Sequence, residues 1–246
     1  MAATSSLLVI ADIAGYTRFL RMHAVSAVHA QHVVGKLLEA VIGAVTPELA
    51  LAKLEGDAAF FHARAPRDDA AMSRIAAAIH RAFHRTQSDL ARNALCPCDG
   101  CQQAGDLKIK VVAHLGEATR QKIARREELA GVDVILVHRL LKNDVPLGEY
   151  LLVTPPLLPH LAPPQRVEAQ ALTLDVEGFG AVSTWYVGLD APPVADDVAP
   201  LLPWPRRFAR QLRLAIRTLP YLVSGRKACE GFRNVDAARD DAGGTL

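Results

Sequence analysis

Two aspartates stand at positions where the chain can bind a hard cation. Asp12 follows the apolar run 7–11, which is rich in strand-forming residues and too short for the core of a helix. Gly15 and Thr17 come soon after it, so a sharp turn can present main-chain N–H groups beside the carboxylate. Asp57 lies in a Gly-Asp turn between two strand-like runs. Carboxylates bind Mg²⁺ and turn N–H groups bind phosphate, although each aspartate alone is also typical of an ordinary turn.

Together these two segments resemble the catalytic domain of class III adenylyl and guanylyl cyclases, and most of all the bacterial DUF2652 group. The matching motifs are Asp-Ile-Ala-Gly-Tyr-Thr at 12–17 and Lys-Leu-Glu-Gly-Asp-Ala at 53–58. The resemblance implies that Asp12 and Asp57 bind Mg²⁺ or Mn²⁺, with Ile13 in the same metal site. It also implies that Lys53 occupies the position that recognises the purine.

Three further positions extend the resemblance towards a nucleoside triphosphate. Lys110 lies in a strand-like segment where the family carries a basic residue near the triphosphate, and Glu128 falls where adenylyl cyclases carry an aspartate that contacts the adenine amino group. Arg139 matches the catalytic arginine that stabilises the reacting ribose and phosphates. The nucleotide-binding residues that the resemblance implies are Gly15, Thr17, Lys53, Lys110 and Glu128.

Two positions depart from the pattern of active cyclases. Ile135 stands one helical turn before Arg139, where those enzymes carry an asparagine, and an alkyl group donates no hydrogen bond. One pre-organised donor of this kind is typically worth ~3–4 kcal/mol of barrier. The closing hairpin has Glu177 and Phe179 where the family often has a lysine. Two hypotheses stay open: a weak metal-dependent nucleotidyl cyclase, and a catalytically degenerate nucleotide-binding or scaffold domain.

A cysteine cluster forms a separate feature. Cys96, Cys98 and Cys101 offer three thiolates to a soft tetrahedral metal such as Zn²⁺, and a structural zinc site needs a fourth ligand. A reduced surface loop and a regulatory disulfide are the alternatives, and the sequence leaves all three open. The candidates for a fourth zinc ligand are Cys229, His84 and His114, although His114 is more simply a buried core histidine.

The composition favours a globular protein without a nucleic-acid partner. The chain has 246 residues, half of them hydrophobic, and its formal net charge of +2 is too small to attract a polyanion. The sequence contains neither a secretory leader pattern nor an apolar run long enough to span a bilayer. We therefore expect a cytoplasmic protein.

We predict two parts, a cyclase-like domain over residues 1–190 and an extension over 191–246. The domain should have an α/β (α+β), ferredoxin-like class III cyclase fold, with a mixed, mainly antiparallel sheet and helices on one face. Class III sites form between protomers, so the resemblance implies a homodimer in which the two aspartates face Lys53, Glu128 and Arg139 of the partner subunit. The extension combines a Pro-rich linker with a basic amphipathic helix over 206–219, which is typical of packing or of contact with a membrane or protein.

Overall fold

A computed structural model describes residues 4–16, 27–95, 103–189 and 198–223 of the chain. The strands are β1 (Thr4–Ala14), β2 (Ala50–Glu55), β3 (Ala58–Arg64), β4 (Lys108–Ile123), β5 (Arg126–Ala130), β6 (Tyr150–Val153), β7 (Gln170–Val176) and β8 (Gly180–Gly188). The α-helices are α1 (Ala27–Val45), α2 (Ala71–Asn93), α3 (Val132–Arg139), α4 (Pro163–Glu168) and α5 (Trp204–Val223), and short 3₁₀ helices cover Gln103–Asp106 and Pro155–His160.

One sheet organises the domain, with the strand order β2-β3-β1-β4-β6-β8-β7 and with β5 paired to β4. Its β4–β6 pair is parallel, and the other paired strands are antiparallel. The central strand β1 is buried on both faces, because Leu7 and Val9 point to one core and Leu8 and Ile10 to the other. The mixed, mainly antiparallel sheet predicted from the sequence is confirmed.

Helices cover the two faces of the sheet unequally. The long helices α1 and α2 bury their apolar sides, including Leu37, Met72 and Phe83, in the larger core. Their apolar residues recur at three- and four-residue spacing, which places them on one side of each helix. The sequence predicted that helices cover one face of the sheet, and α1 and α2 are those helices. The short helix α3 packs on the opposite face through Val134 and Val137.

Helix α5 contains the predicted amphipathic segment and contacts the domain through its basic residues. Arg210 forms an ion pair with Asp89 of α2 at 2.8 Å. Its large apolar side chains instead face outwards, and the rings of Trp204 and Phe208 stack with their centroids 5.2 Å apart. About half of each apolar side chain is exposed along the stripe of Trp204, Phe208, Leu212 and Ile216. No helix among the described residues has the length and apolar character needed to cross a bilayer.

Candidate functional site

Strands β1 and β3 bring two aspartates to one edge of the sheet. Asp12 pairs with Ala58 in the strand register, and the Ile13 N–H donates to the main-chain oxygen of Asp57 at 3.2 Å. Burial and the nearby Asp57 carboxylate, opposed by Lys110, raise the pKa of Asp12 to about 6. Burial also raises the pKa of Asp57. Two interacting, partly buried carboxylates gain from a divalent cation, because the cation offsets both the repulsion and the lost hydration.

The turn after Asp12 depends on a glycine. Gly15 has a φ of +86°, a conformation that side-chain-bearing residues adopt only with strain. Ile13 differs from the two aspartates, because its side chain is an alkyl group without a ligand atom and is buried in the core. Only the main-chain carbonyl of Ile13 is therefore chemically available to a cation. Thr17 lies outside the described residues.

Lys110 lies beside the acidic edge. It is opposite Asp12 in the β1–β4 register, and its ammonium lowers the pKa of that carboxyl against the larger effect of burial. The Lys110 ammonium also lies 5.8 Å from the centre of the Tyr150 ring, within reach of a cation–π contact. The structure thus brings Asp12, Asp57 and Lys110 together.

Lys53 and Glu128 line a separate cavity of about 360 Å³ between β2, β5 and α3. A hydrogen bond to Glu55 raises the pKa of the Lys53 ammonium, and the two charged groups lie 3.0 Å apart. The other oxygen of Glu55 is 3.1 Å from Nε2 of His138. The rings of His138 and Phe60 meet edge to face in the cavity wall, with centroids 4.8 Å apart. This volume is at the lower end of the range for small-molecule sites.

Sequence reasoning missed Glu55 and His138 as members of this cavity. Glu55 lies inside the Lys-Leu-Glu-Gly-Asp motif, so its position beside Lys53 was available as a signal. The sequence contains no such signal for His138, because only the packing of α3 over β3 brings its ring to Phe60.

A larger cavity of about 950 Å³ lies at the opposite end of β1 and β3 from the aspartates. It adjoins the smaller one at His62 and Arg120 and is otherwise lined by side chains such as Arg64 and Arg67. None of the predicted site residues that the structure describes lines it. The residues that line a cavity, rather than its volume, therefore identify the candidate site.

Helix α3 carries Arg139, which contacts an acid of its own chain. Its guanidinium donates to the Glu177 carboxylate at 2.8 Å and also to the main-chain oxygen of Glu177. Ile135, one turn earlier, has 53% of its surface exposed. Arg139 is thus joined to the β7–β8 hairpin and not to the aspartates.

The candidate zinc ligands divide into two groups. Cys96, Cys98, Cys101 and Cys229 lie outside the described residues. The two histidines lie within them, and His84 contacts the Glu149 carboxylate at 2.8 Å. His114 is buried in the core, as predicted: Nδ1 lies 2.8 Å from the Thr154 hydroxyl, and Nε2, which forms no hydrogen bond among the described residues, lies 3.2 Å from Asp133.

Solved structures of nucleotidyl cyclases have the same fold as this chain. The adenylyl cyclase CyaB from P. aeruginosa superposes with a TM-score of 0.51 and 14% identity, over 79% of this chain and 97% of that one. The guanylyl cyclase Cya2 gives 0.53 and 15%, over 78% and 95%. The catalytic core of a rhodopsin-guanylyl cyclase with converted specificity, in complex with ATPalphaS, gives 0.53 and 16%, over 75% and 96%. At identities this low, the superpositions show the fold alone. They confirm the predicted cyclase fold.

Sequence similarity is closer within one family. The uncharacterized protein Rv2561/Rv2562 of Mycobacterium tuberculosis (strain ATCC 25618 / H37Rv) is 41% identical over 204 residues, which are 81% of this chain and 93% of that protein. The family described as "Protein of unknown function (DUF2652)" matches residues 34–150. The chain belongs to the DUF2652 family and has the fold of the class III nucleotidyl cyclases.

Proposed function

We propose that this protein binds a purine nucleoside triphosphate together with Mg²⁺ or Mn²⁺ and converts it slowly to a cyclic nucleotide and pyrophosphate. The observation that carries the proposal is the pair of partly buried carboxylates, Asp12 and Asp57, whose pKa values are both raised. A purely structural pair would gain from a full counter-charge, and Lys110 only partly offsets the charge here. The pair instead suits a ligand that brings its own cation.

The residues at this edge fit a hard divalent ion. Asp12 and Asp57 would hold it through carboxylate oxygens, and the main-chain carbonyl of Ile13 adds a third oxygen donor of the type that Mg²⁺ prefers. When bound, such an ion polarises a ribose hydroxyl and offsets the charge of a leaving pyrophosphate. Gly15 shapes the turn next to the carboxylates, and Lys110 supplies a positive charge for a phosphate oxygen.

The cavity beside β2 suits the base of the nucleotide. Lys53 donates hydrogen bonds and Glu128 accepts them, and Phe60 supplies an apolar wall. Glu55 already holds Lys53, so a purine must either share this ammonium or displace the Glu55 carboxylate. Which purine the cavity prefers therefore depends on Glu55 as well as on the two residues that the family pattern implies.

A homodimer would join the two halves of the site. Neither aspartate lines the cavity that holds Lys53 and Glu128, so one chain does not bring the metal pair and the base pocket together. Two apolar side chains of α3, Val132 and Ile135, are 67% and 53% exposed, as expected for a surface that a partner covers. We infer that a second copy places its α3 and base pocket opposite the aspartates.

Helix α5 offers a further contact surface in this proposal. Its outward apolar stripe begins with Trp204 and Phe208, and arginines flank it. An amphipathic helix of this kind binds an anionic membrane surface or another protein. A nucleoside triphosphate substrate places the proposed activity in the cytoplasm.

A nucleotide-binding domain without turnover is the second candidate. The observation that favours it is the ion pair between Arg139 and Glu177, because it neutralises the residue that would stabilise the reacting phosphates. Ile135 adds to this, since it removes a second donor from the same helix.

Incubation of purified protein with ATP or GTP and either Mg²⁺ or Mn²⁺ tests the proposal. We expect a cyclic product at a slow rate with one purine triphosphate, and loss of that product in Asp57→Asn. Nucleotide binding that depends on metal, without any cyclic product, would support the second candidate. A folded protein that binds no nucleotide under any of these conditions would reject both.

A further inference from the structure

A second cluster of metal-binding side chains lies on the face of the sheet that α1 and α2 cover. His80 and His84 stand four residues apart on α2, so their imidazoles project from the same side of the helix. Glu149, the residue before β6, meets both rings: Nε2 of His84 is 2.8 Å from one carboxylate oxygen, and Nε2 of His80 is 3.6 Å from the other. The three ligand atoms lie within 4.8 Å of one another.

The Glu149 carboxylate is buried and held in place. Only 5% of its surface is exposed, and one oxygen accepts a hydrogen bond from the Ile109 N–H at 3.0 Å. The main-chain oxygen of Glu149 accepts from Leu189 at 3.2 Å, which fixes the backbone as well. The Lys108 ammonium is 3.7 Å away on a half-exposed side chain, so it can move into solvent when another cation arrives. The carboxylate is therefore a pre-positioned ligand.

Gln87 sets the orientation of the His84 ring. Its side-chain nitrogen donates to the main-chain oxygens of Ala104 and Leu107, at 2.7 and 2.8 Å, so its oxygen is left to accept from Nδ1 of His84 at 2.9 Å. With the proton on Nδ1, His84 presents the lone pair of Nε2 to Glu149. Two acceptors then face each other unless a metal ion or a second imidazole proton lies between them. Metal-binding histidines commonly donate their second ring nitrogen in this way.

His80 provides an independent observation. Its Nε2 is buried and has no hydrogen-bond partner among the described residues, although it points towards the Glu149 carboxylate. A buried polar nitrogen without a partner costs free energy that a bound cation would recover. Two imidazole nitrogens and one carboxylate thus point at the same small volume.

We propose that His80, His84 and Glu149 form a binding site for a divalent transition metal, with Zn²⁺ as the ion that best fits the ligands. Two imidazoles and one carboxylate are a ligand set for zinc, with a fourth position left for water. Nitrogen ligands select against Mg²⁺ and Ca²⁺, which prefer oxygen. The site differs in both its residues and its metal chemistry from the Asp12 and Asp57 edge.

The position of this site suggests what the metal does. Ile109 and Glu149 precede Lys110 and Tyr150, which contact each other on the opposite face of the sheet beside Asp12. A metal at Glu149 would tie α2 to the adjoining ends of β4 and β6. It would therefore brace the strand that holds Lys110 against the acidic edge, without contacting the nucleotide.

The experiment isolates this site from the other candidate metal ligands. The background is the full chain with serine at all four cysteines and Asp57→Asn, treated with chelator and then dialysed against ZnCl₂. Elemental analysis should give one zinc per chain in this background and in the control His160→Asn, which changes a histidine elsewhere. His84→Asn and Glu149→Gln should lose that zinc and the rise in melting temperature that accompanies it. In Glu149→Gln the amide oxygen can still accept the Ile109 N–H, so the fold should be kept.

Zinc retained in folded His84→Asn and Glu149→Gln would overturn the proposal, and so would a background protein that binds none, which would leave an ordinary histidine–glutamate ion pair. If His84→Asn does not fold, Glu149→Gln decides. If neither folds, Co²⁺ bound to the background protein decides. A tetrahedral Co²⁺ spectrum without thiolate charge transfer supports the site, and the absence of bound Co²⁺ overturns it.

Discussion

The acidic edge and helix α3 carry two halves of one predicted site. The charges of the acidic edge are only partly compensated within the chain, whereas the charge on α3 is paired. Asp12 and Asp57 are partly buried carboxylates with raised pKa values, and Lys110 offsets them only in part. Arg139, by contrast, is paired with Glu177 of its own chain. The metal half therefore keeps a charge that a ligand can satisfy, whereas the half that would stabilise the reaction has satisfied its charge internally.

This difference separates binding from turnover. A cation at the acidic edge relieves repulsion and lost hydration, so a metal–nucleotide complex gains there whatever happens at α3. A phosphate that approaches Arg139 must first compete with Glu177. Since that ion pair is exposed, the competition costs little free energy, and the missing donor at Ile135 is the larger obstacle. The comparison predicts a protein that binds nucleotide well and turns it over slowly.

The largest expected effect comes from repairing α3. Ile135→Asn combined with Glu177→Lys should raise cyclic-nucleotide turnover by up to ~10²-fold, because it adds one transition-state donor and releases Arg139. Ile135 is more than half exposed, so the amide leaves no cavity in the core. Rates with ATP or GTP and Mn²⁺ give the measurement.

Ile135→Leu is the matched control for that experiment, since it changes the same exposed side chain without adding a hydrogen-bond donor. It should leave the rate unchanged. If the double variant forms no product although it binds nucleotide, the weak-cyclase hypothesis is wrong and the binding domain is favoured.

The next effect concerns the acidic edge. A metal–nucleotide complex at a hundred times its Kd should stabilise the parent by about 2.7 kcal/mol, seen as a rise in melting temperature. Asp57→Asn should abolish this rise, because it removes half of the carboxylate pair. The exposed Asp175→Asn should keep it. An unchanged rise in folded Asp57→Asn would show that the metal binds elsewhere.

Much of the fold follows from local patterns. The continuous apolar run before Asp12 predicted a strand buried on both faces, and β1 lies at that position with one core on each side. The Gly-Asp turn predicted the β2–β3 hairpin, whose Gly56 has a φ of +67°. The short helix on the second face was harder to place, because its apolar side is only one or two turns long.

The site was less predictable, because it depends on contacts between distant segments. The two aspartates were paired through motif resemblance, and strand register puts them at one edge. No local pattern indicated that Glu177 would neutralise Arg139, since 38 residues separate them. The cluster of His80, His84 and Glu149 was missed for the same reason: the spacing of the histidines was visible, but the buried glutamate joins them only through the sheet.

A smaller effect concerns the stability of the metal-free protein. The pKa of Asp12 is about 6 when folded and near 3.8 when unfolded, so the folded chain retains a proton that the unfolded chain releases between these pH values. Stability must then fall as the pH rises through this window, and the penalty is complete above pH 6. Asp12→Asn lacks the penalty. After allowance for solvent screening, it should be more stable than the parent by about 1–2 kcal/mol at pH 7.5.

Urea denaturation in the presence of a chelator measures that difference. It should shrink to a few tenths of a kcal/mol near pH 3.5, where Asp12 is protonated in the folded state and mostly protonated in the unfolded state, and Mg²⁺ with nucleotide should reverse it at pH 7.5. Equal stabilities of Asp12→Asn and the parent at both pH values would mean that the carboxylate is better hydrated than its position implies.

The smallest expected effect tests whether the ion pair between Arg139 and Glu177 competes with bound nucleotide or only stabilises the fold. Glu177→Gln keeps the length of the side chain and the main-chain contact to Arg139 but removes the negative charge. Because the Glu177 side chain is 91% exposed, unfolding free energy should change by less than about 1 kcal/mol. Nucleotide affinity should rise several-fold at low ionic strength, and the gain should shrink as salt screens the charges.

Calorimetric titrations at two salt concentrations make the comparison, with Asp175→Asn, another exposed acid of the same hairpin, as the control. A gain that is equal in both variants would reflect net charge alone, whereas a gain confined to Glu177→Gln would identify Glu177 as the group that keeps Arg139 from the nucleotide.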